Sequence, residues 1–184
     1  PNPNPKPNPN PNPNPNPRII KAREALGAER DVFLVEQRKF DSHSDLLATT
    51  SELYGFIDES LAAFVEELKG QGVWDSVVVQ AASEFGRTLS SNGMGTDHGW
   101  GGNAWTVGGA VAGGRVVGTF PPTMNLDSEL TVGRGRLIPT TAWEGIWRPL
   151  CRWFGVEEEE LPTVLPNLAS FPESYLLSEE DMFG

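Results

Sequence analysis

Two short apolar runs flank one long amphipathic stretch, and this arrangement restricts the fold more than any other feature of the chain. Over residues 45–69, Leu46, Leu53, Phe56, Ile57, Leu61, Phe64, Val65 and Leu68 recur at three- and four-residue spacing, with Glu52, Asp58, Glu59, Glu66 and Glu67 mostly opposite. That period predicts a helix, stopped by Gly70 and Gly72. Before it, residues 31–37 (DVFLVEQ) are short, β-branched and apolar, the pattern of a strand. After it, residues 76–82 carry the continuous apolar run of a strand covered on both faces. Strand, helix, strand is a βαβ unit with a right-handed crossover, so the expected class is α/β with a mostly parallel sheet.

In open sheets of that kind, sites lie in the loops beyond the carboxyl ends of the strands. The chain's two histidines sit in two such loops. Phe40-Asp41-Ser42-His43-Ser44 follows the first run, and residues 83–99 (SEFGRTLSSNGMGTDHG), ending in Asp97-His98-Gly99, follow the second. Carboxylate oxygen and neutral imidazole nitrogen both bind Zn²⁺ at ~2.0–2.2 Å, and related divalent ions (Mg²⁺, Mn²⁺, Ca²⁺) take the same oxygens. Asp41 and His43, two apart, point the same way in an extended segment. Asp97 and His98 are adjacent, and a loop can present both. Spacing alone leaves capping carboxylates and satisfied core histidines open beside a metal site. Glu84 and Arg87 have two readings as well. Glu84 would orient a ligating histidine and Arg87 would grip an anion's oxygens bidentately, or the two form an ion pair that holds the loop.

The remainder divides unevenly. Residues 1–17 are nine Pro, seven Asn and one Lys, with no apolar side chain to bury, so a disordered low-complexity segment is expected there. A glycine ends a helix predicted from residue 19 toward Gly27. Residues 103–120 read as a glycine-rich hairpin. Gly108 to Gly113 has phosphate-loop spacing, but Gly114-Arg115 stands where Lys and Ser/Thr are required. Gly133 to Pro139 is a turn with a short extended piece, its two arginines either gripping an anion or, the commoner outcome, pairing with acidic groups. A helix capped by Thr140 or Thr141 should run to Phe154 and end at Gly155. Glu157 to Glu160 is a solvated charge run. The domain is placed at 18–172, with an irregular tail at 173–184 anchored by a few apolar residues.

Composition closes off several function classes. A net charge of −11 and pI near 4.6 argue against a nucleic-acid groove or an anionic membrane partner. No run approaches the ~18 apolar residues of a membrane span. The start of the chain has no basic-then-apolar export pattern. Cys151, the single cysteine, sits among Trp147, Leu150 and Trp153, as a small core residue would.

The segments FDSH, VVVQAASEFGRT, GTDHG, GGAVAGGRVVG and GRGRLIPTT, in this order, resemble the domain-of-unknown-function 1501 family over roughly Phe33 to Phe171. That family is placed with the alkaline phosphatase/sulfatase-like superfamily. The resemblance implies a three-layer α/β/α sandwich, here partial and with an added hairpin, and a two-metal site of Asp and His that hydrolyses small anionic phosphate or sulfate esters. It implies Asp41, His43, Asp97 and His98 as metal ligands, with Ser42 and Lys39 replacing the family's usual Thr and Gly. In the superfamily the nucleophile and a further metal aspartate come from an N-terminal half, whose place is taken here by Pro-Asn repeats. The expectation is therefore a truncated, hydrolase-like domain without its nucleophile. The alternative is a non-catalytic binding or structural module that retains the fold.

Overall fold

The computed structural model describes residues 15–184. Helices α1 (Pro15–Lys21) and α2 (Arg23–Leu26) open it, and Gly27 ends α2 in the left-handed conformation at φ 64°, as the sequence predicted. The Pro-Asn run lies outside the described residues as far as residue 14, and its last residues begin α1. The long helix α3 (Leu46–Gly70) forms where the three-four periodicity placed it, and Gly72 turns the chain at φ 69°. Its apolar face is only partly covered. Leu53 and Leu68 are buried, while Phe56 and Leu47 face solvent.

The fold is mixed α/β with small antiparallel sheets and is 40% helical. Strand β1 (Val78–Ala81) pairs antiparallel with β4 (Trp105–Gly108). Strand β2 (Arg87–Ser91) pairs with β3 (Thr96–His98), and β5 (Thr131–Val132) with β6 (Arg136–Leu137), both antiparallel. The βαβ expectation is corrected here. Residues 31–37 form no strand, and Val32, Leu34 and Val35 stand largely in solvent. An extended apolar run becomes a strand only when a neighbour accepts its backbone hydrogen bonds, and none of the three sheets includes this segment. The glycine-rich hairpin within 103–120 is likewise not formed. Its first half, β4, turns back to β1, and the rest is turn and bend.

Helix α4 (Trp143–Phe154) ends at left-handed Gly155, as expected, but its N-cap is Ala142 without a side-chain cap. Thr140 instead donates to the Thr119 carbonyl. The charge run Glu157–Glu160 is exposed, and its first two members pair with Arg148 and Arg152 of α4. Helix α6 (Glu179–Phe183) packs against α4, and α5 (Leu161–Val164) follows the charge run directly; Leu150, Leu161, Leu165 and Met182 are buried in this part of the chain. The final segment is thus regular. Ser178 accepts from the Asp181 amide while Asp181 accepts from the Ser178 amide and hydroxyl, a capping box that starts α6. Trp153 stacks on Phe183 with ring centroids 5.8 Å apart. Cys151 is half-buried, and burial raises its thiol pKa, in keeping with a packing role. No helix among the described residues is long and apolar enough to cross a membrane.

Candidate metal centre

The site is built on the β2–β3 hairpin rather than at the end of a parallel strand. Asn92-Gly93 makes its turn. The Asn92 side-chain oxygen accepts from the amides of Met94 (3.1 Å) and Gly95 (2.8 Å), and Gly93 takes a φ of 100° that an L residue would resist. The loop Phe40–Ser44 lies across β3. The Ser42 carbonyl accepts from Arg87 at 2.7 Å, and the Thr96 amide approaches it at 3.5 Å. This crossing explains one glycine of the GTDHG motif. A Cβ on Gly95 would stand 2.6 Å from the His43 carbonyl carbon. Gly86 is tighter still, with Gly101 oxygen 1.9 Å from where its Cβ would be.

These crossings bring both Asp/His clusters together although they lie 55 residues apart. Asp41 Oδ1, His43 Nε2 and His98 Nε2 form a triangle with edges of 3.1, 2.9 and 3.2 Å. Two donors held ~2.0–2.2 Å from one ion, at angles between octahedral and tetrahedral, lie roughly 2.8–3.6 Å apart, so the donor types and spacing fit a divalent ion such as Zn²⁺. Two of these edges put an imidazole nitrogen within hydrogen-bond reach of the Asp41 carboxylate, and the third joins the two imidazoles. All three residues are exposed, so the triangle is reachable from solvent.

Asp97, the fourth expected ligand, stands outside the triangle. Its Oδ1 lies 3.5 Å from His43 Nδ1 and accepts from Asn92 at 3.3 Å, and its Oδ2 pairs with Arg134. A carboxylate on Nδ1 holds the proton there and leaves the Nε2 lone pair for a metal, which makes Asp97 an orienting partner of His43. The Asn92 amide, followed by Arg134, holds the Asp97 carboxyl below its ordinary range. His98 is fixed differently. Its ring stacks on Phe85 at 4.2 Å, and Arg136 Nε donates to its carbonyl at 3.1 Å.

Arg87 ties the parts together. It donates through NH1 to Asp41 Oδ1 (2.6 Å), through Nε to Thr96 Oγ1 (3.1 Å), and through NH2 to the carbonyls of Ser42 (2.7 Å) and Thr96 (2.6 Å). Four of its five N–H groups are thereby engaged, so a bidentate grip on a substrate anion is not available without dismantling the loop. The same guanidinium is the first cause holding the Asp41 carboxyl below its ordinary range, followed by His98. Glu84 reaches neither histidine nor Arg87. Its carboxylate accepts from the Ser83 hydroxyl at 3.4 Å. Arg134, one of the two arginines expected to pair with acidic groups, does so with Asp97.

Asn92, Phe85 and Thr88 were not singled out from the sequence. Thr88 is buried, and its hydroxyl accepts from the Asp97 amide at 3.1 Å. Asn92-Gly93 is the strongest short-range hairpin signal a sequence carries, and it marks this turn. No curated protein and no solved structure matches the chain. Residues 5–134 match the family described as "Protein of unknown function (DUF1501)", a span that contains the triangle, Arg87 and Asp97, so the chain belongs to that family.

Proposed function

We propose that this chain carries a divalent-metal centre of the alkaline phosphatase/sulfatase kind, with Asp41, His43 and His98 as ligands, directed at phosphate or sulfate esters. The observation that carries the proposal is the triangle of one carboxylate oxygen and two Nε2 atoms, drawn from loops far apart in sequence. Zn²⁺ is the first choice for this donor set, with Mg²⁺, Mn²⁺ and Ca²⁺ as alternatives. A bound divalent ion supplies Lewis-acid polarisation of an ester oxygen and a bound water of lowered pKa. Asp97 orients His43, and Arg87 positions Asp41. Arg134 is half-exposed and spends one N–H on Asp97, which leaves it the better placed guanidinium to attract an anion. The superfamily's three-layer sandwich with a mostly parallel sheet belongs to the same proposal.

Among the described residues, two hydroxyls near the triangle in sequence, those of Ser42 and Thr96, are already engaged. The Ser42 hydroxyl donates to the Ser44 carbonyl at 3.2 Å, and the Thr96 hydroxyl is bound by Arg87. Binding without turnover is therefore expected of the isolated chain. A second reading, a non-catalytic module, is favoured by the pairing of both carboxylates with arginines, since Arg87 already occupies one lone pair of the would-be ligand oxygen.

Calorimetric titration of chelator-treated protein with Zn²⁺ separates the two. One ion per chain is expected, with affinity reduced about a hundredfold or more in His98→Ala and circular dichroism unchanged. A chain that ignores Zn²⁺ and melts identically with or without chelator leaves the binding module standing. Ester turnover abolished by His98→Ala would overturn the expectation of binding without turnover.

A further inference from the structure

One side-chain amide links the two loops of the centre. Asn92 Nδ2 donates to the His43 carbonyl and to Asp97 Oδ1, each at 3.3 Å. That amide is also a reactive group. An asparagine side-chain carbonyl is an electrophile for the backbone nitrogen of the next residue, because their union closes a five-membered imide ring. Both groups belong to one short segment, so the step has the effective concentration of a unimolecular reaction. The following residue limits it: a Cβ there crowds the ring, and proline has no proton to give up. The seven asparagines of residues 1–17 each precede proline, and Asn103, Asn125 and Asn167 precede Ala104, Leu126 and Leu168. Asn92 alone precedes glycine.

The turn adds to this bias. Asn92 and Gly93 are exposed, and the space where a Gly93 Cβ would stand is open. The Asn92 side-chain oxygen accepts from the amides of Met94 and Gly95, two donors placed where negative charge grows during attack on its carbon. The Gly93 amide donates to the Ser91 hydroxyl at 3.0 Å, an exposed bond for which solvent base competes.

We propose that Asn92 is a site of spontaneous deamidation whose conversion weakens the metal centre. Hydroxide takes the Gly93 amide proton, the nitrogen attacks Asn92 Cγ, and a C–N bond forms as ammonia leaves. One water then opens the imide. Attack at the side-chain carbonyl gives aspartate, and attack at the main-chain carbonyl gives isoaspartate, whose backbone is longer by one methylene. The sum is one water consumed and one ammonia released, with no change of oxidation state. Aspartate replaces the shared donor by a carboxylate facing the Asp97 carboxylate and the His43 carbonyl, so attraction becomes repulsion. Isoaspartate lengthens the turn that the Asn92 amide closes on the Gly95 carbonyl at 3.0 Å. Either product loosens Asp97 from His43 Nδ1. The effect on the centre rests on the metal reading above, whereas the conversion itself does not.

The chain is to be aged at 37 °C in mildly alkaline, isotope-labelled water, then mapped by peptide mass spectrometry and titrated with Zn²⁺. Label should enter position 92 at least ~10-fold faster than Asn103, Asn125 or Asn167, the internal controls. Zn²⁺ affinity of the converted fraction should fall about 10- to 100-fold with circular dichroism unchanged. Freshly made Asn92→Asp should show the same fall without ageing. Conversion at position 92 no faster than at the controls overturns the modification site, whatever Zn²⁺ does. Full conversion with unchanged affinity, or an Asn92→Asp chain that binds as the unmodified one does, overturns its control of the centre. A fresh chain that ignores Zn²⁺ overturns the metal reading and that control together, while the mass readout still decides the site.

Discussion

Around α4, α5 and α6, side chains leave solvent. Five of the seven buried apolar residues among those described lie there, namely Ala142, Leu150, Leu161, Leu165 and Met182, and Pro149 is fully enclosed beside them. Around the triangle they do not. Asp41, His43 and His98 keep 54%, 49% and 51% of their side-chain surface, and the loops are held by Arg87, Asn92, Thr88 and Arg134 through hydrogen bonds. One region is stabilised by burial, which is non-directional and tolerant of small shifts. The other depends on directional bonds that fix atoms to fractions of an ångström at small net energy. The difference fits the proposed metal centre. A packing unit needs volume, whereas a proposed ligand set needs position.

Perturbations should separate along that line. Leu161→Ala, at a fully buried position, should cost about 2–5 kcal/mol by urea denaturation, lowering Tm by about 2–4 °C per kcal/mol, while Zn²⁺ affinity changes little. If the affinity falls in step with stability, the two regions are one unit and the contrast fails. Asp97→Asn should do the reverse. It removes the carboxylate behind His43 Nδ1 and should weaken Zn²⁺ binding about 10- to 100-fold at nearly unchanged stability. Ser178→Ala removes the hydroxyl cap of α6 and should cost about 1 kcal/mol, read from Trp153 fluorescence through its stacking on Phe183.

The pH effect is smaller again. The Ser178 backbone amide, and next its hydroxyl, hold the Asp181 carboxyl below its ordinary range. The folded pKa lies below the unfolded one, so this contribution is present above ~3.9 and is lost as pH falls through the folded value. The Trp153 signal should stay flat from neutrality to about pH 4 and change only on further acidification; a change near pH 6 would assign it to another group.

Elements with their own periodicity or punctuation were legible in the sequence. The α3 stripe and Gly72, and the α4 stop at Gly155, stand as read. Asp41, His43 and His98 converge as their residue types suggested, but Asp97 does not, because adjacency in sequence says nothing about which side of an imidazole a carboxylate meets. Strand pairing was the least legible feature. DVFLVEQ has the composition of a strand, yet pairing depends on a partner that composition cannot name, and β1 found β4 instead. Two local signals were present and passed over: Asn92-Gly93 for the β2–β3 turn, and Ser178-x-x-Asp181 for the start of α6.

Finally, Asp41 and His98 meet across 57 residues of chain. Closing a loop of that length costs an unfolded polymer about 3.5 kcal/mol from the (3/2)RT ln n term alone. An unfolded chain would therefore chelate an ion at this trio far more weakly than the native one, so any ion held there is bound preferentially by the native state. It would act as a reversible cross-link, and the melting temperature would track free metal concentration as RT ln(1 + [L]/Kd). The abundance of such a protein in a cell would then report the supply of its metal, because a metal-starved population spends more time unfolded.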